Sequence, residues 1–436
     1  MIKNPLTSLP YRVGYACLNL DVPGSFQTLR LSSFTEERWR EKTRANLSYL
    51  KDIVTYHLTT KLPMLRLSSD LIPLATLCAP KTPWEEEFAE EFSSLRKAIA
   101  PIRFSMHPGQ YTVLNSPNPD VVRKSIEDLD YHARVLKSLG GGPANKMVLH
   151  IGGRYGDAKA AMERFIETVN GLPESILQHL VLENDQSLYH IEEVLFLSRK
   201  TKLPVIFDNL HHRLNRPKNA ASDREYITAA MNTWGRGDGR PIIHYSQEDP
   251  IKRKGAHSKT IELEPFLTYL QQMPATIPDL MLEVKDKNRS AEKLLMVLEN
   301  NKRRAEVLWA KNKYEMLSKS HKDYLAVRAL FKEDPPDILR WAHLLEHLGQ
   351  LAPNACDAEN AALHVWGYFK EKASPAEKKN WQKKQTDFKN GRLSEKTLRQ
   401  FLVRLLRKYP NDYLQNSTYF DADNLNRGWV PPAIAP

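Results

Sequence analysis

The sequence predicts a (β/α)8, or TIM-type, barrel followed by a smaller all-α domain. Over roughly the first 290 residues, eight short apolar runs rich in β-branched residues alternate with longer stretches of helical periodicity. Most of these runs are almost continuously apolar, which is typical of parallel strands buried on both faces. Eight alternating units in a segment of this length is close to what a (β/α)8 barrel requires.

The predicted strands follow one another in order and are Tyr11–Ala16, Pro63–Ser68, Ile102–His107, Lys146–Gly152, His179–Asp185, Pro204–Leu210, Pro241–Ser246 and Asp279–Asp286. A helix start is visible after the first strand, where Ser33-Phe34-Thr35-Glu36 has the pattern of a capping box and opens a helix toward Leu58. A doubly wound open sheet is the alternative fold. It usually has fewer parallel strands, and no glycine-rich dinucleotide motif follows the first strand.

From about residue 300 the pattern changes to helical periodicity without strand candidates. The predicted helices are Arg304–Ser318, Ile338–Leu348, Ala361–Lys372, Pro375–Asn390 and Glu395–Lys408. We therefore predict a barrel domain over residues 1–300 and a helical, basic domain over residues 301–436. The tail from Asn424 to Pro436 has several prolines and no periodicity, so it is predicted to be irregular.

Composition excludes several classes of protein. Hydrophobic content of 41% and charged content of 26% are ordinary for a globular chain, and no apolar run approaches the ~18 residues of a membrane span. Cys17, Cys78 and Cys356 are too few and too scattered for a disulfide framework or a thiolate metal site. The first residues do not form a secretory signal. We expect a cytoplasmic protein with no membrane partner.

The net charge of +11 is unevenly distributed. Residues 301–436 contain 24 lysines and arginines against 16 aspartates and glutamates, so most of the excess lies in the C-terminal third. This asymmetry suits a polyanionic partner, because neutralising phosphates supplies most non-specific affinity for nucleic acid. A helical domain with solvated lysine-rich faces is the alternative, and charge alone leaves both interpretations open.

Metal-competent side chains stand at or just after the ends of six consecutive predicted strands. In a (β/α)8 barrel these ends meet at one face, where catalytic groups lie. The eight residues are His107, His150, Glu183, Asp208, His211, His244, His257 and Glu283. A single histidine such as His150 is more often a hydrogen-bonded core residue, and Glu283 alone could pair with Lys285 or Lys287. Together, however, such buried groups would be costly without metal or pairing.

Imidazoles and carboxylates without thiolates indicate Mn, Zn, Fe or Co. Eight ligands exceed the need of one ion, so we predict two or three ions that share a carboxylate bridge, for which Glu183 is best placed. Closely spaced ions suit an in-line phosphoryl displacement, as in a phosphodiesterase. Among the other histidines, His57, His132 and His364 fall on helical stretches and are expected on the surface or in packing, whereas His212 should point away from its neighbour His211.

Several motifs resemble the ultraviolet-damage DNA endonuclease family, whose members are related to the barrels of endonuclease IV and xylose isomerase. The match covers about residues 10–290 in the right order. The segments that carry it are Gly14-Tyr15-Ala16-Cys17-Leu18-Asn19, Arg66-Leu67-Ser68-Ser69-Asp70-Leu71-Ile72-Pro73, Ser105-Met106-His107-Pro108-Gly109-Gln110-Tyr111, Leu182-Glu183-Asn184-Asp185, Asp208-Asn209-Leu210-His211-His212, His244-Tyr245-Ser246, Gly255-Ala256-His257 and Met281-Leu282-Glu283-Val284-Lys285.

The resemblance implies a DNA repair enzyme that acts on damaged duplex DNA. Family members incise the backbone 5′ of cyclobutane dimers and (6-4) photoproducts and leave a 3′-hydroxyl and a 5′-phosphate. By position, the eight residues above would be the ligands of a cluster of two or three ions, most readily Mn²⁺, with Zn²⁺ or Co²⁺ as alternatives. Glu183, His244 and Glu283 would be catalytic. Such an enzyme would be associated with the nucleoid when bound to DNA.

By the same resemblance, Gln110 and Tyr111 match the pair that probes the duplex, and Tyr15 and Asn19 match residues that line the lesion pocket. An amide and an aromatic ring can replace the pairing and stacking lost when a damaged dinucleotide leaves the helix. Ordinary packing at the barrel mouth is the alternative for Tyr111.

One position departs from the family pattern. Members can have a lysine two residues before the strand-seven histidine, a position associated with a carboxylated lysine near the metals, and here that residue is Ile242. The lost group would have to be replaced by water, Glu248 or Asp249. Two metal positions are therefore better supported than a third.

The segment Lys252-Arg253-Lys254 precedes His257 and is a candidate for phosphate contact, with a solvated turn as the equal alternative. The C-terminal region faintly resembles an uncharacterised bacterial helical domain, which assigns it no role. Other functions stay open at this point: an apurinic-site endonuclease, a sugar isomerase or epimerase on the same barrel, or a barrel that has lost activity and serves as a DNA-binding scaffold.

Overall fold

The computed structural model describes residues 6–78 and 83–421, apart from the side chain of Cys78. The predicted irregular tail, Asn424 to Pro436, lies outside the described residues. The chain divides after Leu294 into two compact units, residues 1–294 and residues 295–436. Each unit has its own buried core.

The first unit is built on eight parallel strands, and the predicted fold class is confirmed. Each strand lies inside the corresponding predicted run. The strands are β1 Val13–Ala16, β2 Met64–Arg66, β3 Arg103–Ser105, β4 Met147–Leu149, β5 Leu180–Glu183, β6 Val205–Asp208, β7 Ile242–Tyr245 and β8 Asp279–Leu282. Neighbours pair in the order β3-β2-β1-β8-β7-β6-β5-β4.

Met106 closes the barrel between β3 and β4. Its N–H donates to the carbonyl of Lys146 over 2.9 Å, and its carbonyl accepts from the N–H of Val148 over 3.0 Å. All strand ends are thereby brought to one rim, so that residues far apart in sequence share a single site.

Helices surround the strands and make up the second unit. In chain order they are α1 Glu36–Thr60, α2 Ala75–Cys78, α3 Trp84–Glu87, α4 Ala89–Ile99, α5 Pro119–Ser138, α6 Ala158–Asn170, α7 Glu174–Leu177, α8 Ile191–Thr201, α9 Asn209–Leu214, α10 Asp223–Met231, α11 Leu263–Gln271, α12 Asn288–Leu298, α13 Lys302–Lys319, α14 His321–Leu330, α15 Ile338–Leu348, α16 Ala355–Trp366, α17 Pro375–Lys389, α18 Glu395–Lys408 and α19 Asp412–Gln415. None of the helices in the described ranges is long and apolar enough to cross a membrane.

The first helix begins differently from the prediction. Thr35, not Ser33, is the N-cap residue of α1, and its side chain accepts from the N–H of Arg38 over 3.2 Å. Ser33 belongs to a short 3-10 turn and donates to the carbonyl of Arg30. The capping-box interpretation was wrong: only Ser33 fits the capping-box pattern, with Glu36 three residues later, whereas the helix is capped by Thr35, which has Arg38 at that position.

Periodicity misplaced one helix of the second unit and missed another. The helix predicted over Ala361–Lys372 is α16, which runs from Ala355 and ends before Gly367. It starts early because the side chain of Asn354 caps it, accepting from the N–H of Asp357 over 2.8 Å. The helix α14, capped by Ser320, was not predicted at all.

An apolar layer fills the barrel directly below the rim. Six side chains, one from each of six strands, pack together there: Met64, Val148, Val181, Ile206, Ile242 and Met281. Each stands two positions before a polar residue, namely Arg66, His150, Glu183, Asp208, His244 and Glu283. Because side chains of a strand alternate with a period of two, those polar residues face the same interior one level higher.

The opposite end of the barrel is closed by ion pairs. The buried carboxylate of Asp279, at the start of β8, accepts from Arg103 over 2.8 Å and lies 3.3 Å from the guanidinium of Arg12. Arg240 lies 3.6 Å away. The buried negative charge is therefore compensated, which makes this end a candidate for stability rather than chemistry.

Candidate metal centre

Glu183 lies at the centre of the predicted ligand set. It ends β5, and its carboxylate is almost fully buried. Oε1 lies 2.6 Å from Nδ1 of His244, and Oε2 lies 3.2 Å from Nε2 of His107 and 3.3 Å from Nε2 of His150. His211 approaches Oε1 to 3.9 Å. One carboxylate thus faces four imidazoles from four different strand ends.

Asp208 and His211 form the next part of the site. Asp208 ends β6 and caps α9, accepting from the N–H of His211 over 2.7 Å. The side-chain amide of Asn184 is bonded to both the N–H and the carbonyl of Asp208, over 2.9 and 3.1 Å. The ends of β5 and β6 are therefore locked in register, and the position of the carboxylate is fixed.

Glu283 joins the site from β8. It lies 3.3 Å from Nδ1 of His244 and 3.7 Å from Nε2 of His257, and it forms an ion pair with Arg66. The alternative pairing with Lys285 or Lys287 is not seen among the described residues. All eight predicted residues are therefore brought together at one end of the barrel.

Arg66 was missed as a site residue by reasoning from the sequence. It ends β2, as the others end their strands, but guanidinium is not a metal ligand and the search was restricted to ligands. The same rule of strand-end placement, applied to cations, would have found it. Its pairing with Glu283 holds that carboxylate at the edge of the cluster.

The electrostatics of the cluster favour ionised carboxylates. Burial alone would raise the pKa of Glu183, but His244, His150 and His107 hold the pKa well below its usual range. Burial likewise opposes ionisation of Glu283, and Arg66 together with His244 lowers its pKa. Asp208 is the exception, because burial and the nearby carboxylates raise its pKa to about 6.

The imidazoles respond in opposite directions. Burial lowers the pKa of His150 to about 4 despite Glu183. Burial also opposes protonation of His211, but Asp208, Glu183 and Glu283 more than offset it and raise the pKa to about 9. The raised pKa of His211 shows that the carboxylates give the site a negative electrostatic potential, which a bound cation would neutralise.

The residues present fit a divalent cation. Two groups of side chains each bring their donor atoms within 4.8 Å of one another. One group is His107, His150 and Glu183, and the other is Glu183, Asp208 and His244, so Glu183 is common to both. Oδ2 of Asp208 and Nδ1 of His150 are buried without a hydrogen-bond partner in the described structure. His107 and His211 each donate from Nδ1 to a backbone carbonyl, over 2.9 Å, so Nε2 is the ring nitrogen left for a metal. Buried histidine, aspartate and glutamate groups that could bind metal are thus present.

Ile242 lies in the apolar layer beneath this cluster. It is 3% exposed and packs with Val181, Ile206 and Met281. A hydrocarbon side chain there seals the base of the site and contributes no ligand. Glu248, one candidate replacement, is instead paired with Arg213 and accepts from the N–H of Gly255 over 2.6 Å.

Gln110 and Tyr111 occupy the tip of a tight turn after β3. The N–H of Thr112 donates to the carbonyl of Gly109 over 3.0 Å, which places the pair at the two central positions. The turn is anchored because the hydroxyl of Thr112 donates to Asp128 over 2.6 Å. Tyr111 is 83% exposed, so packing at the barrel mouth does not account for it.

Tyr15 and Asn19 are placed differently from the expectation of a lesion-contacting pair. Tyr15 is fully buried and Asn19 is 3% exposed. The amide of Asn19 donates to the hydroxyl of Tyr15 over 2.7 Å, and that hydroxyl lies 2.8 Å from Nε2 of His57. Neither side chain offers surface to a nucleotide here, so a direct contact would require the segment after β1 to move.

Lys252 and Arg253 stand on a loop between β7 and His257. Glu248 and His257 pair as an antiparallel bridge at its base, and Asp249 accepts from the N–H groups of Ile251 and Lys252 at its tip. Both cations are exposed, and Lys252 pairs with Asp249 over 3.2 Å. Ile251 beside them is 92% exposed.

The remaining histidines lie outside the cluster. His57 and His132 are buried, His364 is exposed, and His212 packs between the rings of Phe207 and Tyr226. The last of these turns away from His211, as its place on a short helix requires.

The fold and the site together define a (β/α)8 barrel with a buried group of side chains that could bind metal at its catalytic face. The chain belongs to the UV-endonuclease UvdE family, whose model matches residues 11–314. The resemblance seen in the motifs is confirmed. A second model, for a protein of unknown function (DUF1722), matches residues 313–423.

Individual relatives agree with the family. The chain is 38% identical over 288 residues to the UV DNA damage endonuclease of Clostridium perfringens, covering 65% of this chain and 70% of the relative. It is 33% identical over 273 residues to the UV DNA damage endonuclease of Bacillus cereus, covering 61% and 84%. The crystal structure of SacUVDE superposes with a TM-score of 0.62 at 37% identity, over 66% of this chain and 98% of that one.

Proposed function

We propose that this protein is a DNA repair endonuclease that incises the backbone 5′ of ultraviolet photoproducts and leaves a 3′-hydroxyl and a 5′-phosphate. The observation that carries the proposal is the shared Glu183, which joins two groups of metal-competent donors on one barrel rim. Membership of the UV-endonuclease family and the names of the relatives support the choice of substrate. The place of action would be the nucleoid, in the cytoplasm.

The ligands of the proposed cluster are His107, His150, Glu183, Asp208, His211, His244, His257 and Glu283. When bound, two or three divalent ions, most readily Mn²⁺ and otherwise Zn²⁺ or Co²⁺, supply the positive charge that activates a water and stabilises the leaving 3′-oxygen. Glu183, His244 and Glu283 form the catalytic core, because His244 lies between the two carboxylates and couples them.

The protein's own groups prepare this chemistry by fixing positions. Arg66 keeps Glu283 ionised and oriented, and the amide of Asn184 holds the backbone of Asp208. The Nδ1 bonds of His107 and His211 to carbonyl oxygens set their tautomers. Preorganised ligands of this kind do not need to rearrange during reaction.

The DNA contacts are proposed on the rim outside the cluster. The Gly109–Thr112 turn offers Gln110 for hydrogen bonding and Tyr111 for stacking where a damaged dinucleotide leaves the duplex. Lys252 and Arg253 follow β7, which is four strands away from β3 in the barrel order, so they lie across the mouth from that turn. A duplex laid over the mouth would meet both.

Incision of end-labelled duplexes tests the proposal. Duplexes with a thymine dimer, an abasic site or no lesion are incubated with the full chain and added Mn²⁺. We expect cutting immediately 5′ of the dimer, with products that a ligase and a polymerase recognise as 5′-phosphate and 3′-hydroxyl. Equal cutting of all three duplexes would contradict damage specificity, and cutting of the abasic duplex alone would identify an apurinic-site endonuclease.

Glu183→Gln tests the role of the shared carboxylate. The amide keeps the shape but loses the charge between four imidazoles, so we expect at least a hundredfold loss of incision, as for removal of one key catalytic group. Glu90→Gln, an exposed change on α4, is the matched control. Full activity of Glu183→Gln, in a variant with unchanged circular dichroism, would contradict the metal assignment.

A further inference from the structure

The basic charge of the C-terminal third is concentrated in one segment. Residues 370–408 contain 13 lysines and arginines against four aspartates and glutamates. The remainder of the region, residues 301–369 and 409–436, contains 11 against 12. A helical domain with ordinary solvated faces would spread its cations, so this distribution requires another explanation.

The segment forms two neighbouring antiparallel helices, α17 and α18. The end of α18 meets the start of α17, where Lys408 pairs with Glu377 over 2.8 Å. The apolar side of each helix is buried in the core of the second unit, through Trp381 and Phe388 on α17 and through Leu398 and Leu402 on α18. The cations are left on the outer side.

One cation of the segment belongs to the core instead. Arg399 is buried, and it is bonded to Glu315 over 2.6 Å, to Glu395 over 2.6 Å and to the carbonyl of Tyr419 over 2.8 Å. Its partner Glu395 is fully buried with it. Two of the four acidic residues, Glu377 and Glu395, are thus already paired and do little to neutralise the surface.

Lys370, Lys389 and Lys408 pair with glutamates, whereas the other outer cations form no ion pair among the described residues. Six of them, here called the α17–α18 basic face, are exposed and form no ion pair among the described residues: Lys378, Lys379, Lys383, Lys396, Arg404 and Arg407. On α18 the last three lie within about 80° of one another and along about 16 Å of helix. One DNA strand presents a phosphate about every 3.4 Å of helix axis, so a row of this length spans several phosphates.

The composition of the face distinguishes between classes of partner. Among the described residues 370–408, no large hydrophobic side chain is exposed. A membrane-binding helix needs apolar residues to insert, and a protein interface needs aromatic or aliphatic anchors. Neutral donors stand between the cations instead, Gln382 and Thr386 on α17 and Gln400 on α18. Cations interleaved with amides and hydroxyls are the groups that contact sugar and phosphate.

We propose that the α17–α18 basic face binds the sugar-phosphate backbone of duplex DNA without reading its sequence. The second unit is then a DNA-holding module carried on the same chain as the barrel. Because the two are covalently joined, binding by the face raises the effective concentration of DNA for the barrel. This binding does not require a lesion, and it is independent of the incision proposed above.

The test uses the full chain with four changes in the face, Lys379→Gln, Lys383→Gln, Arg404→Gln and Arg407→Gln. Binding to an undamaged 30-base-pair duplex is measured by fluorescence anisotropy over a series of salt concentrations. We expect affinity to fall roughly tenfold or more near 0.1 M salt and the slope of log K against log salt to flatten by about 3 to 4, because each phosphate contact contributes about 0.9. Two duplexes of different sequence should give the same result.

A matched variant separates the face from net charge. The control also removes two lysines and two arginines, but from exposed positions elsewhere in the second unit: Lys322→Gln, Arg328→Gln, Lys332→Gln and Arg340→Gln. It should leave the slope of log K against log salt nearly unchanged. Equal effects of both variants, or no effect of the first, would overturn the proposal. The proposal would also be overturned if the variant of the face lost binding to phosphatidylserine vesicles but kept its binding to DNA.

Incision kinetics give a separate readout. On dimer-containing DNA, the variant of the face should raise KM and leave kcat unchanged, because the reacting groups lie in the barrel. A protein that binds duplex DNA through the face but incises nothing would refute the proposed function and leave this inference standing.

Discussion

At the scale of single residues, the chain of hydrogen bonds through His57 shows how burial decides a protonation state. Nδ1 of His57 lies 3.1 Å from the carbonyl of Leu62, which can only accept, so Nδ1 carries the proton. Nε2 then accepts from the hydroxyl of Tyr15, which in turn accepts from Asn19. The imidazole is neutral, and the hydrogen bonds from Asn19 through Tyr15 and His57 to Leu62 all run in the same direction from donor to acceptor.

This arrangement predicts a pH-dependent stability. Burial lowers the pKa of His57 to about 4, below the value of about 6.5 expected when the chain is unfolded. As pH falls below about 7, the unfolded chain takes up a proton first, so stability is lost on acidification, by about 2 kcal/mol between pH 7 and pH 5. The variant His57→Gln should show a correspondingly shallower fall in thermal midpoint over this interval.

A histidine on the surface provides the comparison. His364→Gln changes an exposed residue and should leave the pH dependence as in the parent protein. If His57→Gln and the parent lose stability in parallel from pH 7 to pH 5, the neutral buried state of His57 is refuted.

At the scale of elements, the turn after β3 presents an aromatic ring on a rigid support. Its anchors are the bond from Thr112 to Asp128 and the bond from the N–H of Val113 to Ser125, over 2.9 Å, both reaching α5. An exposed Tyr111 held in this way loses little further entropy on binding, so its stacking is available for recognition.

Tyr111→Ala is expected to weaken incision of dimer-containing DNA by about tenfold to a hundredfold, since stacking on one base contributes about 1–3 kcal/mol. Tyr111→Phe keeps the ring and should retain most activity. Incision rates under single-turnover conditions measure both. Phe196→Ala, at an exposed ring on α8, controls for the loss of aromatic surface. Parent-like activity of Tyr111→Ala would exclude a stacking role.

The closed end of the barrel leads to a prediction about β8. Asp279→Asn would leave Arg103 buried without its anionic partner, at a cost of about 3 kcal/mol or more. For a unit of this size that corresponds to a fall of about 10 °C in the thermal midpoint. Incision below the transition should be unchanged, because the strand ends that hold the site lie at the other end.

An exposed aspartate serves as the reference for this change. Asp52→Asn, on the outer side of α1, should shift the midpoint by no more than a degree or two. A variant Asp279→Asn as stable as Asp52→Asn would show that the ion pairs at this end contribute little to stability.

At the scale of the whole molecule, the barrel gathers three carboxylates and five imidazoles that repel or compete when no cation is present. We expect the purified protein to contain about two ions per chain. Dialysis against a chelator should lower the thermal midpoint of the barrel, and Mn²⁺ at about 100 times its Kd should restore about 2.7 kcal/mol per site.

Metal analysis by mass spectrometry and thermal scans measure this effect, with Glu183→Gln as the variant that should respond least. A chain with less than about one ion, whose midpoint does not respond to Mn²⁺, Zn²⁺ or Co²⁺, would argue for a scaffold that has lost its chemistry. Turnover of a ketose or aldose by such a protein would instead indicate a sugar isomerase.

Much of this organisation could be predicted from the sequence, because its signals are local. Strands such as Val205–Asp208 are apolar up to their last residue, since both of their faces are covered, and a polar residue at the end of such a run faces the rim. The helix Glu395–Lys408, predicted from its apolar periodicity, matches the structure to the residue, and Ser394 caps it where the apolar stripe begins. Where two hydroxyl residues competed as caps, at Ser33 and Thr35, the capping-box pattern favoured Ser33, but the helix begins after Thr35.

The sequence by itself determined the fold class and the eight candidate ligands, because strand period, length and end position are properties of the chain near each residue. Only the tertiary structure decided which groups meet. In the folded barrel Glu183 is shared by two donor groups, and Arg66 pairs with Glu283. Tyr15 is buried with its hydroxyl hydrogen-bonded, and Ile242 belongs to the apolar layer. Such contacts join strands separated by tens to hundreds of residues, and only closure of the barrel brings them within bonding distance.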